Sequence, residues 1–372
     1  MPDDPVILVL TAAGLVSAIC LVFAAMLLAA ERYLVNYGPC TIDINAGARK
    51  LTVQGGSTLL ASLMGQGIFI PSACGGKGTC AYCKVKILDG GGPVAPTENT
   101  LLKQQELKES VRISCQVKVR NDVAIQIPPE LFLVKEFRGQ VQQIRQLTHD
   151  IKELRIRLLD PTSIDFTAGQ YVQLRTPEYG DNPEAVYRAY SVSSPPSSHG
   201  NLELVVRLVP GGICTTWVFK YLHEGDEVLL NGPHGDFRLN DSDREMIWIA
   251  GGSGMAPFWS MIRHMREHNI ARPTRYYFGA VRRRDLFYVQ ELEDLARQLN
   301  WFQFVPALSG AAPEDAWTGQ TGLITEVVDR NVPVASQAEA YLCGSSGMID
   351  AAIKVLQAKG IPNERTFYDK FT

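Results

Sequence analysis

Three cysteines fall within ten residues: Cys74, Cys80 and Cys83, in the run PSACGGKGTCAYCKVKILDGG. They give the spacing C-x5-C-x2-C, and Cys115 follows 32 positions later in RISCQV. Clustered thiols in a long chain point to metal or redox chemistry. Four thiolates can hold a [2Fe–2S] cluster, two on each iron. Gly75, Gly76, Gly78, Thr79 and Ala81 between them are small. Small residues let the backbone wrap a cluster closely and aim N–H groups at its sulfurs, which tunes its potential. The alternative is a structural zinc site, which usually shows two short C-x2–4-C pairs. Only one such pair is present, so iron–sulfur is the favoured reading. Cys20 and Cys40 stand apart and carry no expected role.

A second group of motifs lies further along. Residues 134–237 alternate strand-like runs such as KELRIRLLD, QYVQLRTP and LELVVRLVP with Gly and Pro turns, the pattern of an antiparallel barrel. Arg188-Ala189-Tyr190-Ser191 sits between strand candidates, and GGICTTW opens a helical stretch at Gly211. Free N–H groups at a helix start, with Gly permitting close approach, make a phosphate site. MIWIAGGSGMAPFWSMIRHMREH then reads as a buried strand, a glycine turn and an amphipathic helix. Its Gly252, Gly254 and Pro257 form G-x-G-x-x-P, a departure from the usual dinucleotide pattern. A second strand–turn–helix, AYLCGSSGMIDAAIKVLQAKG, carries Cys343-Gly344. Arg282, Arg283 and Arg284 suit either a 2′-phosphate or, the favoured reading, a solvated face.

These motifs resemble the ferredoxin–NADP reductase superfamily. The resemblance implies that Arg188 binds flavin phosphate, Tyr190 packs on the isoalloxazine and Ser191 bonds near its N5. It implies that Gly212, Thr215 and Thr216 form the diphosphate turn, followed in place by GPHGDF. It also sets Gly252, Gly254, Pro257, Cys343 and Gly344 at the nucleotide, with Cys343 beside the nicotinamide; a buried structural Cys343 is the alternative. The cysteine loop is one residue longer than the plant-type C-x4-C-x2-C. CTIDINAGARKLTVQGG predicts two strands around a turn at 45–48, STLLASLMGQG a short helix capped by Ser57, and VKILDGG and CQVKVRNDVAIQIP further strands. That is the order of a plant-type ferredoxin.

Composition bounds the rest. A chain of 372 residues implies two or three domains at about 150 residues each. Eight cysteines are too few for a disulfide scaffold. A net charge of −3 argues against nucleic acid as a partner. Pro5 to Ala30 holds no charged residue and exceeds the roughly 20 residues that cross a bilayer. Asp3 and Asp4 precede it, where a cleaved signal would be positive, so an uncleaved single-pass anchor is the reading. Arg32, Arg49 and Lys50 follow it, which places the soluble domains in the cytoplasm.

The expected architecture is multidomain. A transmembrane helix covers 1–33, an α+β ferredoxin-like (β-grasp) [2Fe–2S] domain 34–130, an antiparallel β-barrel FAD domain 131–238 and an α/β NADH-binding domain 239–372. This order resembles the family of NADH-oxidising F subunits of sodium-translocating NADH:quinone reductases, through SACGGKGTCAYC, GGSGMAP, YFGAVRRRDLFY, WTGQTGLI and a terminal DKF. The resemblance implies a bacterial inner-membrane enzyme that takes hydride from NADH onto FAD and passes single electrons to the cluster. Its partners would be membrane-embedded acceptor subunits. Ser191, Cys343 and Phe371 would act at the reacting rings, Phe371 by covering the flavin. The competing reading is a reductase that supplies an oxygenase; a third is a redox sensor without turnover.

Overall fold

The computed structural model describes residues 5–34, 37–72, 74–334 and 337–371. Asp3 and Asp4 lie outside the described residues. By contacts the chain forms two compact units, Met1–Ile70 with Cys83–Pro129, and Pro71–Tyr82 with Glu130–Thr372.

The first unit opens with helix α1 (Pro5–Leu34). Its segment Val9–Met26 has a mean hydropathy of 2.4 and exposes its side chains, and it is long and apolar enough to cross a membrane. A five-stranded mixed sheet follows, in the order β2 (Arg49–Gln54), β1 (Pro39–Ile44), β5 (Val123–Gln126), β3 (Lys84–Asp89), β4 (Val111–Ile113). Strands β1 and β2 meet in antiparallel register around the predicted turn, and β1 pairs β5 in parallel. Helix α2 (Leu59–Gly65) is capped by Thr58, whose Oγ1 accepts the Ala61 N–H at 3.2 Å, and not by the expected Ser57. The reason is local. Ser57 gives its carbonyl to the Val119 N–H and belongs to the incoming loop. The expected strand at 117–119 is likewise lost, because Val117 and Val119 bond Leu59, Ser57 and Gly56 in that loop. Helices α3 (Pro96–Leu101) and α4 (Gln104–Lys108) complete the unit. Buried Glu98 ties α3 to β4: its carboxylate accepts Arg112 Nε and Nη2 at 2.9 and 2.7 Å and the Ile113 N–H at 2.9 Å.

The second unit holds an antiparallel barrel and a parallel sheet. The barrel order is β10 (Asn201–Arg207), β7 (Ile151–Asp160), β6 (Lys135–Thr148), β11 (Glu227–His234), β8 (Tyr171–Thr176), β9 (Val186–Ser191). A bridge from Val192 to Leu204 joins its two edges, which removes exposed strand edges. Alternate strand residues such as Leu154, Ile156, Val172, Leu204 and Leu230 fill the interior. Helix α5 (Ile213–Lys220) closes one end with Trp217 and Val218.

The nucleotide sheet runs β15 (Gln320–Thr321), β14 (Phe302–Leu308), β13 (Thr274–Ala280), β12 (Met246–Gly251), β16 (Glu339–Ser345), β17 (Thr366–Phe371), all parallel. Parallel sheets need both faces covered. Trp248 and Tyr276 pack under α6 (Met255–Glu267) and α7 (Val289–Gln298). Ile247, Ile249 and Tyr277 pack under α8 (Ile324–Asn331) and α9 (Ser346–Ala358). The period-2 alternation of MIWIAG therefore feeds two cores. The first of these also takes in Ile151, Val205 and Phe237 of the barrel, so barrel and sheet share one interior.

Candidate functional site

Cys74 and Cys80 form one close thiol pair and Cys83 and Cys115 another. The hydrogen bond from Cys80, helped by the Thr79 and Cys80 N–H groups, pulls Cys74 down to about 3 against the cost of burial. Cys80 is pushed up as its donor, and Cys83 is pushed up by Cys115 and by burial. Metal ligation needs thiolate. Each pair offers two sulfurs, the number that one iron of a [2Fe–2S] cluster takes. Among the described residues no three His, Cys, Asp or Glu donors converge on one point. Cys20 is exposed on α1, and Cys40 is buried with Sγ 3.8 Å from the Tyr37 and Gly38 carbonyls.

The loop that carries Cys74 and Cys80 is packed within the second unit. Gln173 Nε2 donates to the Ser72 carbonyl at 3.0 Å. A Cβ on Gly75 would stand 1.8 Å from Arg188 Nη1 and 2.7 Å from the Tyr187 carbonyl, so only glycine fits there. Tyr82 Oη donates to Asp369 Oδ1 at 3.1 Å. Burial raises Asp369, while Tyr82 and the nearby Ser191 hydroxyl favour its ionised form.

One cavity of about 490 Å³ gathers most of the remaining candidates. Arg188, Tyr190 and Ser191 reach it from β9, Gly212 and Thr215 from the start of α5, Gly344 from β16 and Phe371 from β17. Cys74 lines it too. Arg188 is held by its own strand, Nη1 donating to the Tyr187 carbonyl at 2.8 Å. Tyr190 Oη donates to Cys214 Sγ at 3.3 Å, which fixes the ring. Ser191 Oγ is buried beside Asp369, whose ionised form its hydroxyl favours. No side chain caps α5 at Gly212, so its first N–H groups stay available to an anion. The Thr215 hydroxyl is already spent on Val209, accepting its N–H at 3.1 Å, and Thr216 bonds Gly212 through its backbone. Thr216, Gly252, Gly254, Pro257 and Cys343 are not among the lining residues.

The nucleotide turn is built by backbone fit. A Cβ on Gly254 would lie 2.2 Å from the Cys343 carbonyl oxygen and 2.6 Å from its carbon. Gly344, at φ +148°, sits against Gly251 and Met348. The ends of β12 and β16 therefore touch only because both turns are glycine. Cys343 is fully buried, and burial raises its thiol. Pro257 falls in the first turn of α6, where a missing N–H costs nothing. Arg282 gives Nε to Asp315 and Nη2 to Glu314, both at 2.6 Å, and Arg283 Nη1 holds the Asp315 carbonyl at 3.1 Å. Two of the three arginines are thus engaged by the loop that follows β14.

Sequence reasoning missed Asp369, Tyr82 and Arg207 as lining residues. Arg207 bonds Asp150 Oδ2 at 2.8 Å and stands over Gly252. It ends a strand at a position that reads as solvent-facing, so no local signal marks it. His234 of GPHGDF is buried against Tyr171, ring centroids 5.3 Å apart, and burial lowers its pKa from 6.5 to about 4. Between pH 6.5 and 4 the unfolded chain binds a proton that the folded one refuses, so stability falls as pH drops through that window. On the order of 3 kcal/mol is lost by its lower end. Thermal unfolding against pH should show this slope, and His234→Gln should flatten it.

Three family models match the chain: a 2Fe-2S iron-sulfur cluster binding domain over 42–120, an oxidoreductase FAD-binding domain over 138–239 and an oxidoreductase NAD-binding domain over 248–354. Among solved structures, the Amycolatopsis cytochrome P450 reductase GcoB is similar at 27% identity and TM-score 0.72, over 90% of this chain and 99% of that one. A ferredoxin reductase in carbazole 1,9a-dioxygenase follows at 25% and 0.67, over 90% and 98%. The F subunit of the Na(+)-translocating NADH-quinone reductase of Pseudomonas paraeruginosa (strain DSM 24068 / PA7) is 38% identical over 97% of this chain and 98% of its own length. That of Neisseria meningitidis serogroup C (strain ATCC 700532 / DSM 15464 / FAM18) is 35% identical over 95% and 97%. The multidomain fold with ferredoxin, flavin and nucleotide parts carries those three groups' binding domains on one chain, and the chain belongs to the family of F subunits of the Na(+)-translocating NADH-quinone reductases.

Proposed function

We propose that this chain is the NADH-oxidising module of a sodium-translocating NADH:quinone reductase. It would hold FAD in the barrel and a [2Fe–2S] cluster on Cys74, Cys80, Cys83 and Cys115. The observation that carries this reading is the single cavity shared by the flavin-motif residues, the end of β16, Phe371 and Cys74. A bound flavin takes two electrons as hydride and gives them up singly, which is what a two-electron donor and a one-electron cluster require between them. The protein's part is placement. Arg188 and the open start of α5 bind phosphate charge. Tyr190, pinned by Cys214, and Phe371 line the cavity and would pack against the ring. Ser191 offers its hydroxyl beside Asp369, a carboxyl that can hold a proton there. The Gly254–Cys343 contact holds the ends of β12 and β16 together where a nucleotide would bind.

Arg188→Ala should weaken FAD retention about 10- to 100-fold, the worth of one charge-assisted hydrogen bond of roughly 1.5–3 kcal/mol. Equilibrium dialysis of the flavin against both proteins measures it. Helix α1 would anchor the chain in the bacterial inner membrane as a single pass, and Arg32, Arg49 and Lys50 favour a cytoplasmic body. Because Pro5–Ala30 carries no charge, sodium would cross in membrane-embedded partner subunits. The four-part division at 1–33, 34–130, 131–238 and 239–372 accords with this reading. Affinity purification from membranes tests it: integral acceptor subunits should come along, with sodium-dependent quinone reduction. The names of the two similar solved structures favour a second reading, a reductase for an oxygenase. Oxygenase turnover restored by this chain alone, with no sodium effect, would decide for it.

A further inference from the structure

One buried hydroxyl beside the second thiol pair has no partner among the protein's oxygens and nitrogens. Ser114 is fully buried, and its Oγ makes no hydrogen bond of good geometry. Leaving a buried hydroxyl unpaired is costly, so such an atom asks for an explanation. The backbone of Ser114 is held on both sides. Its N–H donates to the Cys83 carbonyl at 2.8 Å, and its carbonyl accepts the Leu60 N–H at 3.1 Å. The β3–β4 register pairs Lys84 with Ile113, so the next residues along, Cys83 and Ser114, face each other. The side chain is thereby set beside Cys83, whose sulfur is the polar atom it approaches. Cys83 and Cys115 are themselves 1% and 4% exposed, so no water competes for that hydroxyl.

We infer that Ser114 is a positioning and tuning residue for the iron–sulfur group, its Oγ–H donating to the Cys83 sulfur once that sulfur is an iron-bound thiolate. A neutral thiol is a weak acceptor. An iron-bound thiolate accepts better, and better still after the cluster gains an electron. A fixed donor therefore stabilises the reduced form more than the oxidised one and raises the reduction potential. The inference rests on the cysteine assignment made above.

The test is a redox titration of the anaerobic full-length protein, with the cluster followed by electron spin resonance. The unaltered protein reports on the cysteine assignment: without a [2Fe–2S] spectrum, that reading fails first. Given the spectrum, Ser114→Ala should keep the cluster and its iron content. Held at the unaltered protein's midpoint, its reduced-to-oxidised ratio should fall three- to tenfold; tenfold corresponds to 59 mV for one electron. Ser114→Thr, which keeps the hydroxyl, should restore the ratio. Ser62→Ala, which removes another buried hydroxyl without a partner in the same unit, should leave it unchanged. An unmoved midpoint in Ser114→Ala, a shift to higher potential, an equal shift in Ser62→Ala or loss of the cluster would each overturn the inference.

Discussion

Gly254→Ala should cut NADH-dependent flavin reduction about 100-fold while FAD and iron content stay at the unaltered level. The argument is steric. The added Cβ would stand 2.2 Å from a main-chain oxygen and 2.6 Å from a main-chain carbon of Cys343, and backbone cannot rotate aside as a flexible side chain can. The two strand ends must separate by roughly 1 Å, and a misplacement of that size costs on the order of 10² in rate. Gly254 has φ −62°, so the substitution brings no backbone strain of its own. Stopped-flow bleaching of the flavin by NADH measures the effect. Gly65→Ala, where a Cβ would meet nothing within 4 Å, is the control and should be silent.

Cys83→Ala should separate the two halves of the reaction. Its thiol belongs to the pair with Cys115, and removing one of the four proposed ligands would leave an iron without its second sulfur on that side. The iron–sulfur spectrum should vanish. NADH should still bleach the flavin at close to the normal rate, because Arg188, Tyr190, Ser191 and the Gly254 turn lie in the other unit. Electron delivery to a quinone should fall more than about 100-fold, equivalent to roughly 2.7 kcal/mol of barrier. If quinone reduction persisted, electrons would be leaving the flavin directly.

How much of this was legible beforehand depends on the kind of residue. The 2Fe-2S domain was readable because cysteine spacing is a local property of the chain. The β12–turn–α6 passage was readable because MIWIAG and the helix after it carry different hydrophobic periods. Thr58 could not be told from Ser57, since either hydroxyl can cap and the choice turns on where Val119 takes its bond. The strand expected at 117–119 failed for a related reason. Its alternation is right, but the loop at 56–59 claims its backbone. Asp369, Arg207 and Ser114 matter through what lies opposite them. Asp369 meets Tyr82, 287 positions away in sequence, and no pattern in DKF reports that.

The cavity also orders the chemistry. Tyr190 and Ser191 come from β9, Gly344 and Phe371 from β16 and β17, and Cys74 from the cysteine loop, so each contributor is fixed by a different part of the fold. Rigid strands on three sides give the positional control that a hydride step needs.

The most direct test is a stepwise anaerobic NADH titration of the purified protein, read by absorption and spin resonance together. The account predicts one flavin and two irons per chain, bleaching of the flavin by NADH, and one electron per chain appearing in a [2Fe–2S] resonance. Protein that carries zinc in place of iron, or a flavin that bleaches while the irons stay oxidised, would contradict it.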